Sequence, residues 1–289
     1  MKCEGEMRPL LEHPSLLASH IIEVLIAHSR QARIFASDDA KLMSASAVLF
    51  PLGMFAAGHR SLPEPCLILN KRSAHVPQPG DLCCPGGSVT PRLDVFLAKL
   101  LSLPLSGLAR WPHWATWRER RPMEARALAV LFATSLRESF EEMRLNPLTV
   151  KFLGPLPPQR LVMFQRVIYP MVAWIPRQKR FHPNWEVEKI VFIPLRDLIN
   201  PAHYACCRFH LGNDQGAETG RPANEHPCFR HADSSASELL WGATYRITTV
   251  FLKHVFRFAP PDITLCPVVN ESLREDYFGG PRPKGLRTP

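Results

Sequence analysis

Proline is what most limits how this chain can fold. There are 29 in 289 residues, about twice the ordinary share. Each one fixes φ and removes a backbone donor, so regular elements have to fit between them. Against that background Glu124 to Leu145 runs 22 residues without Gly or Pro. It is dense in Ala, Leu, Arg and Glu, which predicts one long helix, closed by Asn146-Pro147.

Shorter elements are legible on either side. Residues 15–33 place Leu16, Leu17, Ile21, Val24, Leu25 and His28 at spacings of three and four, an amphipathic helix that should pack on the main body. Apolar runs at 44–52 and 66–69 read as strands and 73–87 as a Pro/Gly-rich loop. Val95, Phe96, Leu100, Leu101 and Leu103 mark a further helix, followed by Trp111, Trp114 and Trp117 at spacings of three. Those tryptophans form either a docked helical face or a stacking platform for a base. Residues 150–158, 164–176 and 189–195 read as strands, 197–199 as a short turn or helix, 211–236 as a polar loop, and 237–258 as a second strong helix. From 260 onward the chain is proline-rich and is expected to be partly disordered. Strands before and after one long helix indicate a mixed α/β domain.

The formal charge of +9 is spread along the chain. Its tightest basic groups, 110–121 (RWPHWATWRERR) and 177–180 (RQKR), favour a small phosphorylated substrate over a nucleic-acid surface. The longest apolar stretch, 45–58, is interrupted by Pro51 and Gly53 and is shorter than the ~20 residues of a membrane helix, so no span is expected. Glu4, Glu6 and Pro9 stand where a secretory signal needs an apolar run, which predicts a cytoplasmic protein. Eight cysteines include the vicinal pairs Cys83-Cys84 and Cys206-Cys207. Sequence neighbours rarely reach disulfide geometry, so reduced thiols are expected.

The most informative segment lies inside the long helix. Glu138, Glu141 and Glu142 stand at i, i+3 and i+4 and share one face. Like charges at these spacings oppose the helix by about 0.2–0.5 kcal/mol each. A divalent cation would offset this, and an all-carboxylate set suits Mg²⁺ or Mn²⁺ rather than Zn²⁺. Arg137, four residues before Glu141, can hold the face in register.

With Gly86-Gly87 upstream, Arg137, Glu138, Glu141, Glu142 and Leu145 resemble the box GX5EX7REUXEEXGU of the Nudix hydrolases. Three further segments, Ile68 to Gly87, Glu186 to Pro201 and Trp241 to Ile247, are similar to landmarks of that family's coenzyme A diphosphatase branch. Some positions depart from the pattern. Arg144 replaces the late glycine, Ser139 replaces an aliphatic residue, and 36 extra residues separate Gly87 from Arg137. Leu93 occupies the ungapped position of the early glutamate, and Asp94 or Glu124 substitutes only if folding brings it close. Pro77 and Cys84 stand where the branch has arginine and phenylalanine.

The resemblance implies an α/β/α sandwich with a mixed sheet, an N-terminal helical extension at 1–40, the hydrolase domain at 41–258 with an insertion at about 88–123, and a tail at 259–289. It implies cleavage of a diphosphate linkage in a nucleoside diphosphate derivative, coenzyme A among the candidates. Glu138, Glu141 and Glu142 would be the metal ligands, Arg137 their orienting partner, and Gly86-Gly87 the backbone that approaches metal and phosphate. Glu186 is the candidate general base. Lys71 and Arg72 either bind phosphate or simply flank a strand. The insertion is either a lid over the base or a contact between two copies. Two rival readings stand beside this one: a non-catalytic nucleotide- or metal-binding module, and a zinc-stabilised interaction protein using Cys206, Cys207, His210, His226, Cys228 and His231.

Overall fold

The apolar runs between prolines become the strands of a mixed sheet. The computed structural model describes residues 9–31, 34–35, 42–57, 62–104, 106–161, 166–211, 224–232, 237–273 and 277. Strand β1 (Ser46–Phe55) is antiparallel to β2 (Glu64–Arg72) and parallel to β7 (Arg166–Ile175). Short strands β3 (Leu82–Cys83) and β4 (Gly86–Ser88) pair with β2 and β1. Strands β5 (Lys151–Pro155) and β6 (Gln159–Leu161) pair with β7, and β8 (Val187–Pro194) pairs with β2.

Side chains alternate across these strands and bury two separate cores. On one face Ala47, Leu49, Cys66, Ile68, Met171 and Ala173 meet Leu128, Phe132 and Leu136 of helix α4 (Pro122–Met143). On the other, Phe50, Leu52, Leu67, Leu69 and Val172 meet Leu17, Ile21 and Leu25 of α1 (Pro14–Gln31) and Phe251 of α6 (Gly242–Phe256). Helices therefore cover both faces of the sheet, as the expected α/β/α sandwich requires. No helix among the described residues is long and apolar enough to cross a membrane.

Between β4 and α4 lie α2 (Pro91–Leu101) and α3 (Trp114–Arg120). Trp111, Trp114 and Trp117 are only 2%, 5% and 5% exposed, so the docked-face alternative holds and the stacking platform falls. Trp111 donates from Nε1 to the Leu153 carbonyl at 3.2 Å and packs edge-on against Phe152. A short helix, α5 (Leu195–Leu198), follows β8.

A second sheet departs from three sequence-based expectations. It contains β9 (Tyr204–Leu211), β10 (Asn224–Ala232), β11 (Ser237–Leu240) and β12 (Val268–Leu273), in the order β11-β10-β9-β12. Residues 224–232 were expected within a loop, because their composition is polar. They form a strand because pairing with β9 buries Cys228 and Phe229, a tertiary gain that local propensity does not register. The helix expected from Ser237 starts at Gly242, since Glu238 and Leu240 are drawn into the body as part of β11. Residues 268–273, in the expected tail, add to β9 as a parallel strand. Residues 1–8, 212–223 and 278–289 of the expected extension, loop and tail lie outside the described residues.

Candidate active site

The long helix carries its charged cluster at its C-terminal end, where it passes the glycine strand β4. Arg137 is the hub. Its Nε donates to Asp94 Oδ1 at 2.8 Å and its Nη2 to Asp94 Oδ2 at 3.2 Å. Nη2 also lies 3.0 Å from Glu138 Oε1, and Nη1 3.1 Å from Glu141 Oε2. Burial works against the Arg137 charge, but the Asp94, Glu138 and Glu141 carboxylates outweigh it, so the guanidinium stays protonated.

Asp94 comes from α2. It is fully buried and also accepts from the Thr134 hydroxyl at 2.8 Å and the Thr90 backbone N–H at 2.7 Å. Of the two candidates for the missing early glutamate, folding therefore brings in Asp94. Glu124 lies 13 residues before Arg137 on the same helix, about 20 Å away, and pairs with Arg121.

Glu142 is half-buried beneath the cluster. Its Oε2 accepts from Asn70 Nδ2 at 2.6 Å and its Oε1 from the Gly86 N–H at 3.4 Å. Burial pushes its carboxyl up to about 8, helped by the charges of Glu138 and Glu186 and opposed by those two hydrogen bonds. Burial raises Glu138 as well, with Arg137 pulling the other way. Asn70 is on the face of β2 that packs against α4, fully buried, and its Oδ1 has no partner among the described residues.

This arrangement has a pH consequence. Glu142 binds its proton more tightly folded than unfolded, so its stabilising contribution is complete below about 4.5 and lost as pH rises through about 8. In EDTA, Tm is expected to fall by several degrees between pH 5 and pH 8 in the natural protein. Glu142→Gln should flatten that slope, and equal slopes in the two proteins would remove the assignment.

The two glycines serve different partners. A Cβ on Gly86 would strike the Ala47 carbonyl and the Val48 Cα, both backbone atoms of β1, whereas a Cβ on Gly87 would overlap the Glu138 carboxylate. Gly86→Ala is expected to destabilise the sheet and lower Tm. Gly87→Ala should melt close to the natural protein, because a flexible side chain can yield, yet impair the site by displacing Glu138. A Gly87→Ala variant with full activity would mean that this carboxylate position does not matter.

The departures at the end of the helix are structurally resolved. Arg144 takes the left-handed conformation (φ 55°, ψ 36°) that glycine usually supplies at a helix end. It is exposed, with its guanidinium 5.0 Å from the Phe140 ring centre rather than among the glutamates. Ser139 is buried, and its hydroxyl donates to the Ser135 carbonyl at 2.6 Å.

Glu186 lies on a loop drawn against the end of α4, where the Asn184 N–H donates to the Glu142 carbonyl at 2.8 Å. Lys71 is on the opposite side of β2 from Asn70. Its Nζ contacts Glu238 at 3.2 Å and Glu188 at 3.3 Å, and Lys189 joins the same buried Glu238. Arg72 donates to the Pro77 carbonyl at 2.7 Å, closing the loop after β2. The structure thus gathers Arg137, Glu138, Glu141, Glu142, Gly86, Gly87 and Glu186 and leaves Lys71 apart. Sequence reading missed Asn70 and Arg166, whose guanidinium reaches the Ser88 hydroxyl at 3.3 Å. Neither belongs to a spacing pattern.

Among the described residues no three His, Cys, Asp or Glu side chains stand close enough together to hold a metal ion as they are. For the cysteine–histidine set, Cys206 and Cys207 are neighbours on β9, with side chains on opposite faces of the sheet. For the glutamates, the carboxylates are held by Arg137, Asn70 and Gly86.

No protein-family model matches the chain, and no curated protein does. Several solved structures show a likeness. An Ap4A hydrolase of C. elegans is 14% identical, covering 54% of this chain and 83% of its own, with a TM-score of 0.34. A Nudix hydrolase from Nitrosomonas europaea is 10% identical over 79% of this chain and 80% of its own, TM-score 0.36. The Nudix domain of Shewanella oneidensis NrtR, complexed with ADP ribose, is 13% identical over 54% of this chain and 76% of its own, TM-score 0.31.

Proposed function

We propose that this chain is a metal-dependent hydrolase that cleaves the diphosphate linkage of a nucleoside diphosphate derivative, releasing two phosphorylated fragments. The observation that carries this reading is the Glu138–Glu141–Glu142 face set against Gly86 and Gly87, with Glu142 half-buried and in no ion pair among the described residues. The donor chemistry fits a hard divalent cation: the three side chains offer oxygen ligands only, and they share one helix face. Glu138, Glu141 and Glu142 would hold Mg²⁺ or Mn²⁺, which supplies charge neutralisation for the diphosphate and polarises its phosphorus.

The chain's own residues divide the remaining work. Asp94 fixes Arg137, and Arg137 orients Glu138 and Glu141. The bare backbone at Gly87 lets substrate approach closely. Arg166, at the edge of β4, is a cation available to a phosphate oxygen. Glu186 takes the proton of the water that attacks phosphorus.

The test is product release with Mg²⁺ or Mn²⁺ over coenzyme A, dinucleotides, nucleotide sugars and nucleoside triphosphates. Turnover of any one supports the reading and names the substrate class. One observation favours a non-catalytic metal- or nucleotide-binding module instead: Arg137 already engages two of the three carboxylates. Folded protein that binds Mg²⁺ but turns over no member of the panel would establish that alternative.

A further inference from the structure

A pocket opens between α1 and α3, at the far end of α4 from the glutamates. Its volume is about 160 Å³, comparable with the ~150 Å³ that admits a benzene-sized molecule. Ile26 and Trp117 give it an apolar part, and Arg30, His113, Arg120 and Arg121 bring nitrogen donors to it. No carboxylate lines it. Arg121 immediately precedes α4, so a helical rise of 17 residues, about 25 Å, separates it from Glu138.

The cations differ in what already holds them. Arg121 donates from Nη1 to the Ser29 carbonyl at 2.9 Å and from Nη2 to the Arg30 carbonyl at 3.0 Å. Both carbonyls belong to the last turn of α1, where the helix itself supplies no donor, so Arg121 covers acceptors that would otherwise repel an anion. Glu124 also pairs with Arg121, at 3.5 Å. Arg30 and Arg120 are exposed, and among the described residues their guanidinium groups form no ion pair or hydrogen bond. The pocket also has buried nitrogens without partners. Trp117 is 5% exposed, and its indole N–H meets no acceptor among the described residues. His113 Nε2 has no hydrogen bond there either, with Glu23 Oε1 3.9 Å away. Buried polar groups in folded proteins are normally satisfied, and one that is not marks a place where water, an ion or a ligand completes the bonding.

We propose that this pocket is a binding site for a small phosphate monoester, separate from the glutamate cluster and independent of its chemistry. Arg30 and Arg120 grip the phosphate oxygens, since each guanidinium offers a planar fork of N–H donors that matches a phosphate. A dianion between them neutralises two charges that nothing else pairs. His113 adds a ring nitrogen, and Arg121 holds the wall in place. At about 160 Å³ the space suits a phosphate carrying a few carbon atoms, whereas sites for larger ligands run to roughly 300 Å³ or more. The basic run 110–121, whose sequence favours a small phosphorylated molecule over a nucleic-acid surface, supplies His113, Arg120 and Arg121.

Titration calorimetry on the full chain in EDTA tests the proposal, because the glutamate cluster without metal repels phosphate. Inorganic phosphate and glycerol 3-phosphate are the probes and acetate is the comparator, all at one ionic strength. The expected result is one phosphate per chain, with a Kd about tenfold higher in Arg30→Gln and in Arg120→Gln, higher still in the double variant, and weaker binding of acetate. Both arginines are exposed, so without phosphate the variants should melt with the natural protein. Phosphate should raise Tm in the natural protein and not in the double variant. Glu141→Gln, at the other end of α4, should bind phosphate as the natural protein does. No phosphate binding by the folded natural protein would overturn the proposal, and so would acetate binding as tight as phosphate. Unchanged Kd values in both arginine variants would overturn it as well, and a Kd altered only in Glu141→Gln would move the phosphate to the carboxylate cluster.

Discussion

Glu142→Gln is expected to abolish diphosphate hydrolysis, by at least about 100-fold in kcat/KM, while leaving the protein folded. Glutamine keeps the shape of the side chain, and its one amide oxygen can accept from Gly86 while its NH2 donates to Asn70 Oδ1 once the Asn70 amide turns over, but it removes a half-buried carboxylate that has no ion pair among the described residues. Because burial already disfavours the Glu142 charge, the substitution should cost no stability at neutral pH and should raise Tm in EDTA. Glu141→Gln is expected to lower turnover similarly and to leave Tm nearly unchanged, because its side chain is 51% exposed and surface ion pairs contribute little. Each variant is checked with the substrate that the panel identifies, alongside thermal melts. Full turnover in Glu142→Gln would remove the metal-ligand assignment, since no neutral side chain there could replace the lost charge.

The second large effect is expected at a residue outside the glutamate face. Asp94→Ala leaves the Arg137 guanidinium, only 10% exposed, without its closest partner, and leaves the Thr134 hydroxyl and the Thr90 N–H without an acceptor. Breaking a buried pair from one side costs about 3–5 kcal/mol, which for a chain of this size lowers Tm by roughly 10 °C. Activity should fall with it, because Arg137 would then draw Glu138 and Glu141 towards itself. Asp94→Glu keeps the charge and should recover part of both losses. A melting temperature unchanged in Asp94→Ala would show that Glu138 and Glu141 alone satisfy Arg137.

Asp94 also shows where sequence reading stops. The Glu138–Glu141–Glu142 face was legible because a helix repeats every 3.6 residues, so spacing alone puts those side chains together. The partner of Arg137 was not, since 43 residues separate the two and only the packing of α2 on α4 closes that distance. Gly86 and Gly87 were singled out by identity, yet their different tasks, one against β1 and the other against Glu138, follow from strand pairing. Lys71 and Asn70 are adjacent in sequence and face opposite sides of β2. Strand alternation separates them, but which of the two faces the glutamates depends on where α4 packs.

The errors have the same origin. Polar composition concealed β10, whose stability comes from pairing with β9, and the helical pattern after Ser237 ran through a strand that Glu238 anchors to two lysines. The long helix, the strands at the start of the main sheet and the clustered glutamates were local in sequence, and the sequence by itself determined them. The placement of Asp94 beside Arg137, the partial burial of Glu142 and the turning away of Lys71 were decided only by the tertiary structure. Each of these depends on contacts between segments far apart in the chain, and no periodicity encodes such contacts.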